Sequence, residues 1–106
     1  MRKIRINPVA KKDLLEIKEY VEVELGNPDA AIGVLTEIII CYEKLKDFPK
    51  AGMELKEKVE LPTDYRYLIC GNYLVFYKLD DEYISIYRIL YSRRDYIKIL
   101  LDDKNE

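Results

Sequence analysis

Hydrophobic and polar positions change period twice along this chain. From Arg2 to Ile6 they alternate, with Ile4 and Ile6 on one side and Lys3 and Arg5 on the other. That pattern predicts a short, half-buried strand. Asn7-Pro8 ends it and opens a helix, because asparagine is a favoured cap and proline at the first helical position gives up an N–H with no intrahelical partner. Ala10, Leu14, Ile17, Val21 and Leu25 then fall at helical spacing and form one apolar stripe, while Lys11, Lys12, Glu16, Lys18, Glu19 and Glu22 cover the other faces. Gly26 stops this helix, and Asn27-Pro28-Asp29 starts a second over 28–47. Its run Ile38-Ile39-Ile40-Cys41-Tyr42 is too apolar for a narrow stripe and predicts deeper burial than the first helix. So short a connection predicts an antiparallel helical hairpin, closed by Phe48-Pro49.

Residues 50–64 have no sustained period, with at most a short strand or turn near 53–55. Alternation then returns in three segments, 65–70, 73–79 and 83–90, separated by Gly71-Asn72 and Asp80-Asp81-Glu82. Residues 93–101 predict a short C-terminal helix, and the last five residues, DDKNE, a frayed polar tail. The order is β-α-α-β-β-β, an α+β class. The expected architecture is a helical hairpin packed on a small, mostly antiparallel four-stranded sheet, with the isoleucine-rich first strand joining the meander. One domain over 1–106 is expected at this length.

Composition narrows the function classes. Hydrophobic content of 49% with 36% charged residues suits a globular chain, and no apolar run approaches the length of a membrane span. The basic start, MRKIRINP, is not followed by an apolar signal core, so no membrane and a cytoplasmic location are expected. The two cysteines, Cys41 and Cys70, lack CxxC spacing and are expected to be buried reduced thiols. The chain has no histidine. That removes the commonest general base, the usual partner of a serine or cysteine nucleophile, and most zinc and iron sites. A net charge of −2 argues against a general nucleic-acid coat.

The chemistry-bearing residues concentrate in 65–95, which holds seven of the ten tyrosines together with Arg66, Arg88, Arg93 and Arg94. Alternation places Arg66 with Leu68 and Cys70, and Arg88 with Ile84, Ile86 and Leu90. Arginine among apolar neighbours is costly unless it reaches a strand end or finds a partner. Two readings follow. Either the arginines pair with acidic residues of the helices or loops, or they form an anion- or partner-binding cluster on the sheet rim. Tyr73 with Tyr77, and Tyr83 with Tyr87, read as cross-strand packing, whereas Tyr91 lies beyond the last strand and next to Arg93 as the exposed candidate. No phosphate-cradling loop, metal-spaced carboxylates or nucleophile elbow occurs, so no cofactor and no metal are expected.

Four segments in order resemble the RelE/ParE toxins of bacterial type II toxin–antitoxin modules. They are the helix reading DLLEIKEYVEVELGNPDAA, the linker LKDFPKAGMEL with its L-x-x-F-P-x-x-G, the strand GNYLVFY, and the closing RILYSRRD. The resemblance implies the family fold, a cognate antitoxin as partner, and either of two targets. ParE-like members inhibit DNA gyrase, whereas RelE-like members cut mRNA in the ribosome from the concave face of the sheet. In several ribonuclease members an arginine follows the tyrosine of the GNY strand, where this chain has Leu74, and many carry histidine where it has Tyr91. The missing arginine withdraws a group able to stabilise charge on a pentacoordinate phosphate. The resemblance therefore points to a ParE-like toxin that binds gyrase through Arg66, Arg88, Tyr91, Arg93 and Arg94. The alternative is a ribosome-dependent endoribonuclease with Arg66, Arg88, Tyr91 and Arg93 as its catalytic set. A third reading is a degenerate member that only pairs with its antitoxin.

Overall fold

The computed structural model describes residues 1–101, and the polar tail, 102–106, lies outside the described residues. Both Asn-Pro pairs start helices as expected. Asn7 Oδ1 accepts from Val9 N–H at the start of α1 (Pro8–Leu25), and Asn27 Oδ1 accepts from Asp29 and Ala30 N–H at the start of α2 (Pro28–Glu43). Gly26 between them sits at φ 58°, the left-handed conformation that ends α1 without a Cβ clash. The second helix is shorter than 28–47, since its last turn tightens into a 3₁₀ turn at Lys44–Lys46. Nor does it lie deeper than the first. It buries Ala31, Ile38 and Tyr42 but leaves Ile32 and Ile40 more than half exposed, so its apolar excess forms an outward flank.

The sheet has five strands rather than four, in the order β1 (Lys3–Ile6), β5 (Tyr83–Tyr91), β4 (Tyr73–Leu79), β3 (Arg66–Cys70), β2 (Met53–Glu54). β1 runs parallel to β5, and the other pairs are antiparallel. The additional strand, β2, holds only two residues, too few for alternation to register. It is followed by the short α3 (Leu55–Val59) and, after β5, the chain closes with α4 (Tyr96–Leu101).

The two sheet faces carry separate cores. Val75, Tyr77, Ile84, Ile86 and Ile89 pack against Ala10, Leu14, Ile38 and Tyr42 of the hairpin. On the opposite face Tyr67, Leu74, Phe76 and Leu90 pack against Leu55 of α3 and Leu100 of α4. Strict alternation fails once. Phe76 pairs with Arg88 but Tyr77 pairs with Ile86, so Tyr87 is an extra residue on β5. A bulge of this kind shifts the side-chain phase by one. Arg88 therefore shares a face with Leu90 and not, as alternation suggested, with Ile84 and Ile86.

The cysteines also depart from expectation, because Cys41 and Cys70 are joined by a disulfide between α2 and the end of β3. Spacing along the chain carried no sign of this pairing, which α2 creates by crossing β3.

The linker Phe48-Pro49-Lys50-Ala51-Gly52 is fixed by two strand side chains. The buried Tyr77 hydroxyl donates to Pro49 C=O and accepts from Gly52 N–H, both at 2.9 Å. A Cβ on Gly52 would lie 2.5 Å from that hydroxyl oxygen, so only glycine fits. Tyr77→Phe strands a buried amide and a carbonyl and should cost about 1–3 kcal/mol. In thermal unfolding we expect Tm to fall by ~5 °C or more, with Gly52→Ala at least as damaging.

Candidate functional site

β1 stops at Ile6, opposite Ile86, and Asn7 N–H still bonds to Ile86 C=O. Beyond that point β5 has lost its neighbour on this side, and Asp13 of α1 takes the place of a strand. Its Oδ2 accepts from the Ile89 N–H at 2.9 Å. The same carboxylate holds Arg88 through two bonds, Nε to Oδ2 at 2.9 Å and Nη2 to Oδ1 at 3.0 Å. The side chains are 7% and 19% exposed respectively, so this is a largely desolvated, bidentate pair. Arg88 thus has the acidic helix partner that one of the two sequence readings expected.

Arg66 is likewise engaged internally. Its Nη2 donates to Gly52 C=O at 2.7 Å and to Lys50 C=O at 3.2 Å. Together with Tyr77 it clamps the F-P-x-x-G linker, so that motif is a loop held from beneath by two strands.

The remaining sequence candidates lie elsewhere. Tyr91, 41% exposed, ends β5, and Arg93 and Arg94 follow on the surface. Tyr91 and Arg94 line a cavity of about 490 Å³ between α1 and the end of β5, with Ile17 and Tyr20 on the helix side and Tyr73 and Ile89 on the sheet side. The Tyr73 and Tyr91 rings meet edge-on at 5.9 Å. Asp13 forms part of the floor. The result is an aromatic groove with a cation at its lip. Arg66 and Arg88 do not line it.

Asp13 and Tyr20 are groove residues that the sequence did not single out, and Tyr73, expected only as packing, lines the groove as well. Asp13 had a legible signal. It stands beside Leu14, three positions after Ala10, on the inward stripe of α1, where an unpaired carboxylate would be costly. Tyr20 had none, since it falls among the polar positions of that helix.

The opposite sheet face is apolar at its centre and carries Arg88 where β5 runs past β1, lining a cavity of about 190 Å³ with Tyr65, Tyr87 and Leu100. Leu74 is 5% exposed and packs with Phe76, Leu90 and Leu100. Two lysines on this side sit against rings. Lys58 lies over Tyr67 and Tyr96, and Lys78 over Tyr65 and Tyr87. Among the described residues no three His, Cys, Asp or Glu side chains converge as a metal site.

Burial pushes the Tyr73 hydroxyl above its ordinary pKa, with Tyr91 and Tyr20 adding in the same direction. Burial likewise raises Tyr42 and Tyr65. A raised folded-state pKa gives stability that is complete below the unfolded value, about 10, and lost as pH rises through the folded one. Tm should therefore fall as pH climbs above ~10. Tyr73→Phe should make that fall shallower, which a series of thermal melts between neutral and strongly alkaline pH measures.

Comparison with known proteins agrees with this geometry. The family model described as the ParE toxin of the type II toxin–antitoxin system, parDE, matches residues 4–96. No curated protein matches the sequence significantly. Among solved structures, the chain is similar to one from the chromosomal ParDE toxin–antitoxin system of P. aeruginosa, with a TM-score of 0.73 and 22% identity. That alignment covers 86% of this chain and 96% of the other, and at this identity it bears on the fold alone. A two-helix hairpin on a β1-β5-β4-β3-β2 sheet, together with a family match over nearly its whole length, establishes that this chain belongs to the ParE toxins of type II toxin–antitoxin systems.

Proposed function

We propose that the protein arrests growth by binding a macromolecular target, DNA gyrase, rather than by cleaving RNA, and that a cognate antitoxin neutralises it in the cytoplasm. The observation that carries this reading is the filling of the second sheet face by Leu74, Phe76, Leu90 and Leu100. In-line attack by a ribose hydroxyl needs a base and cationic groups aimed at one phosphate. Here Arg88 is bound to Asp13 and Arg66 to the linker carbonyls, and both would have to leave buried or half-buried partners to serve. Among the described residues, no helix is long and apolar enough to cross a membrane.

Target binding is assigned to Tyr91, Arg93 and Arg94, with Tyr73 and Tyr20 as the apolar wall beneath them. Exposed aromatic rings beside arginine are the residue types that dominate protein interfaces. Arg66 and Arg88 act on this surface from behind, by fixing the linker and the end of β5. A purified gyrase supercoiling assay tests the reading. The protein should inhibit supercoiling, and Tyr91→Ala or Arg94→Ala should each raise the inhibitory concentration by ~10-fold, as loss of an interface anchor does. Primer extension on mRNA from expressing cells should show no ribosome-dependent cuts. Cuts with unimpaired supercoiling would instead establish the ribonuclease reading, and normal growth with neither effect would leave only antitoxin pairing.

A further inference from the structure

The disulfide lies outside the target-binding reading. Cys41 is in the last turn of α2 and Cys70 is the last residue of β3, 29 positions apart, with Cα atoms 5.9 Å from each other. β2 pairs with Arg66 and Tyr67, so among the described residues the outer edge of β3 at Leu68, Ile69 and Cys70 has no strand partner. The bond therefore fastens the helical hairpin to the part of the sheet held from one side only. Both cysteines line a cavity of about 180 Å³ together with Glu37, Ile38, Asn72 and Tyr73. Cys70 is 5% exposed, whereas Cys41 is half-buried and is the more accessible residue of the two. Tyr73 is shared, lining this cavity and the aromatic groove alike.

We propose that Cys41–Cys70 is a reversible thiol–disulfide exchange site whose oxidation locks α2 to the β3–β4 hairpin and holds the Tyr73 wall of the groove in place. A thiolate of a small dithiol attacks Cys41 Sγ. A new S–S bond forms, the Sγ–Sγ bond breaks, and Cys70 leaves as a thiolate that takes up a proton. The dithiol's second thiolate then attacks its own sulfur in the mixed disulfide and expels Cys41, which is protonated in turn. Two electrons pass from the dithiol, which closes to a cyclic disulfide, to the cystine. A disulfide oxidant runs the same steps backwards. The Glu37 carboxylate at the cavity disfavours added negative charge, so the thiolate of an otherwise uncharged dithiol should react faster than the more negatively charged glutathione thiolate.

The full chain, oxidised with glutathione disulfide or reduced with dithiothreitol, provides the test. Alkylation and intact mass should find no free thiol in the first form and two in the second. The oxidised chain should melt ~10 °C or more above the reduced one, given the loop that the bond closes. Hydrogen exchange should quicken on reduction around 37–43 and 68–74 while the β1–β5 pairing keeps its protection. Cys41→Ala/Cys70→Ala should melt independently of dithiothreitol, and if it fails to fold the wild-type comparison still decides. Two alkylatable thiols after oxidation, a melting difference under ~2 °C, or uniform exchange across the sheet would each overturn the proposal.

Discussion

The structure turns on one carboxylate. Where β1 ends, β5 continues past it for five residues, Tyr87 to Tyr91, and its backbone on that side needs a new partner. Asp13 supplies it from α1, and by also holding Arg88 it ties the first helix, the bulge and the last strand together at a single buried point. A paired buried charge contributes little net stability compared with an apolar substitute, but removing one partner leaves the other desolvated and costly. Its effect is positional: α1 cannot slide along β5 without breaking three hydrogen bonds.

That anchor determines which surface is left for a partner. With α1 pinned at Asp13, Ile17 and Tyr20 one and two turns later stand across from Tyr73, Ile89 and Tyr91, and the groove is the space between them. The centre of the opposite face is filled by apolar packing under α3 and α4. The two faces thus do different things. One supports a hairpin and a groove, and the other is a second core.

Three of the helices and four of the strands were legible, most of them through a local device: Asn-Pro starts, Gly26, Gly71-Asn72 and the Asp80 turn. Asp80 Oδ1 indeed accepts from the Glu82 and Tyr83 N–H groups. β2 and α3 were not legible, since they are two and five residues long and Leu55 anchors them only through contacts made across the sheet. The phase of β5 was misread for a similar reason. Nothing in Tyr87 itself announces a bulge, which appears only when β4 and β1 both pair with the same strand. The disulfide, too, depends on α2 crossing β3. Of the candidate site residues, Tyr91 was expected beyond the last strand but ends β5, with Arg93 and Arg94 exposed just after it. The partners of Arg66 and Arg88, carbonyls of the linker and a carboxylate 75 positions away, are tertiary facts that their spacing does not carry.

The central claim is that Arg88 and Asp13 form one structural unit and that Arg88 is not a displaceable contact residue. A double-mutant cycle on folding stability with Asp13→Ala, Arg88→Ala and the pair tests it most directly. Each single change should cost ~3 kcal/mol or more, and the pair should cost less than the sum by at least ~2 kcal/mol. Additivity within ~0.5 kcal/mol would contradict the account.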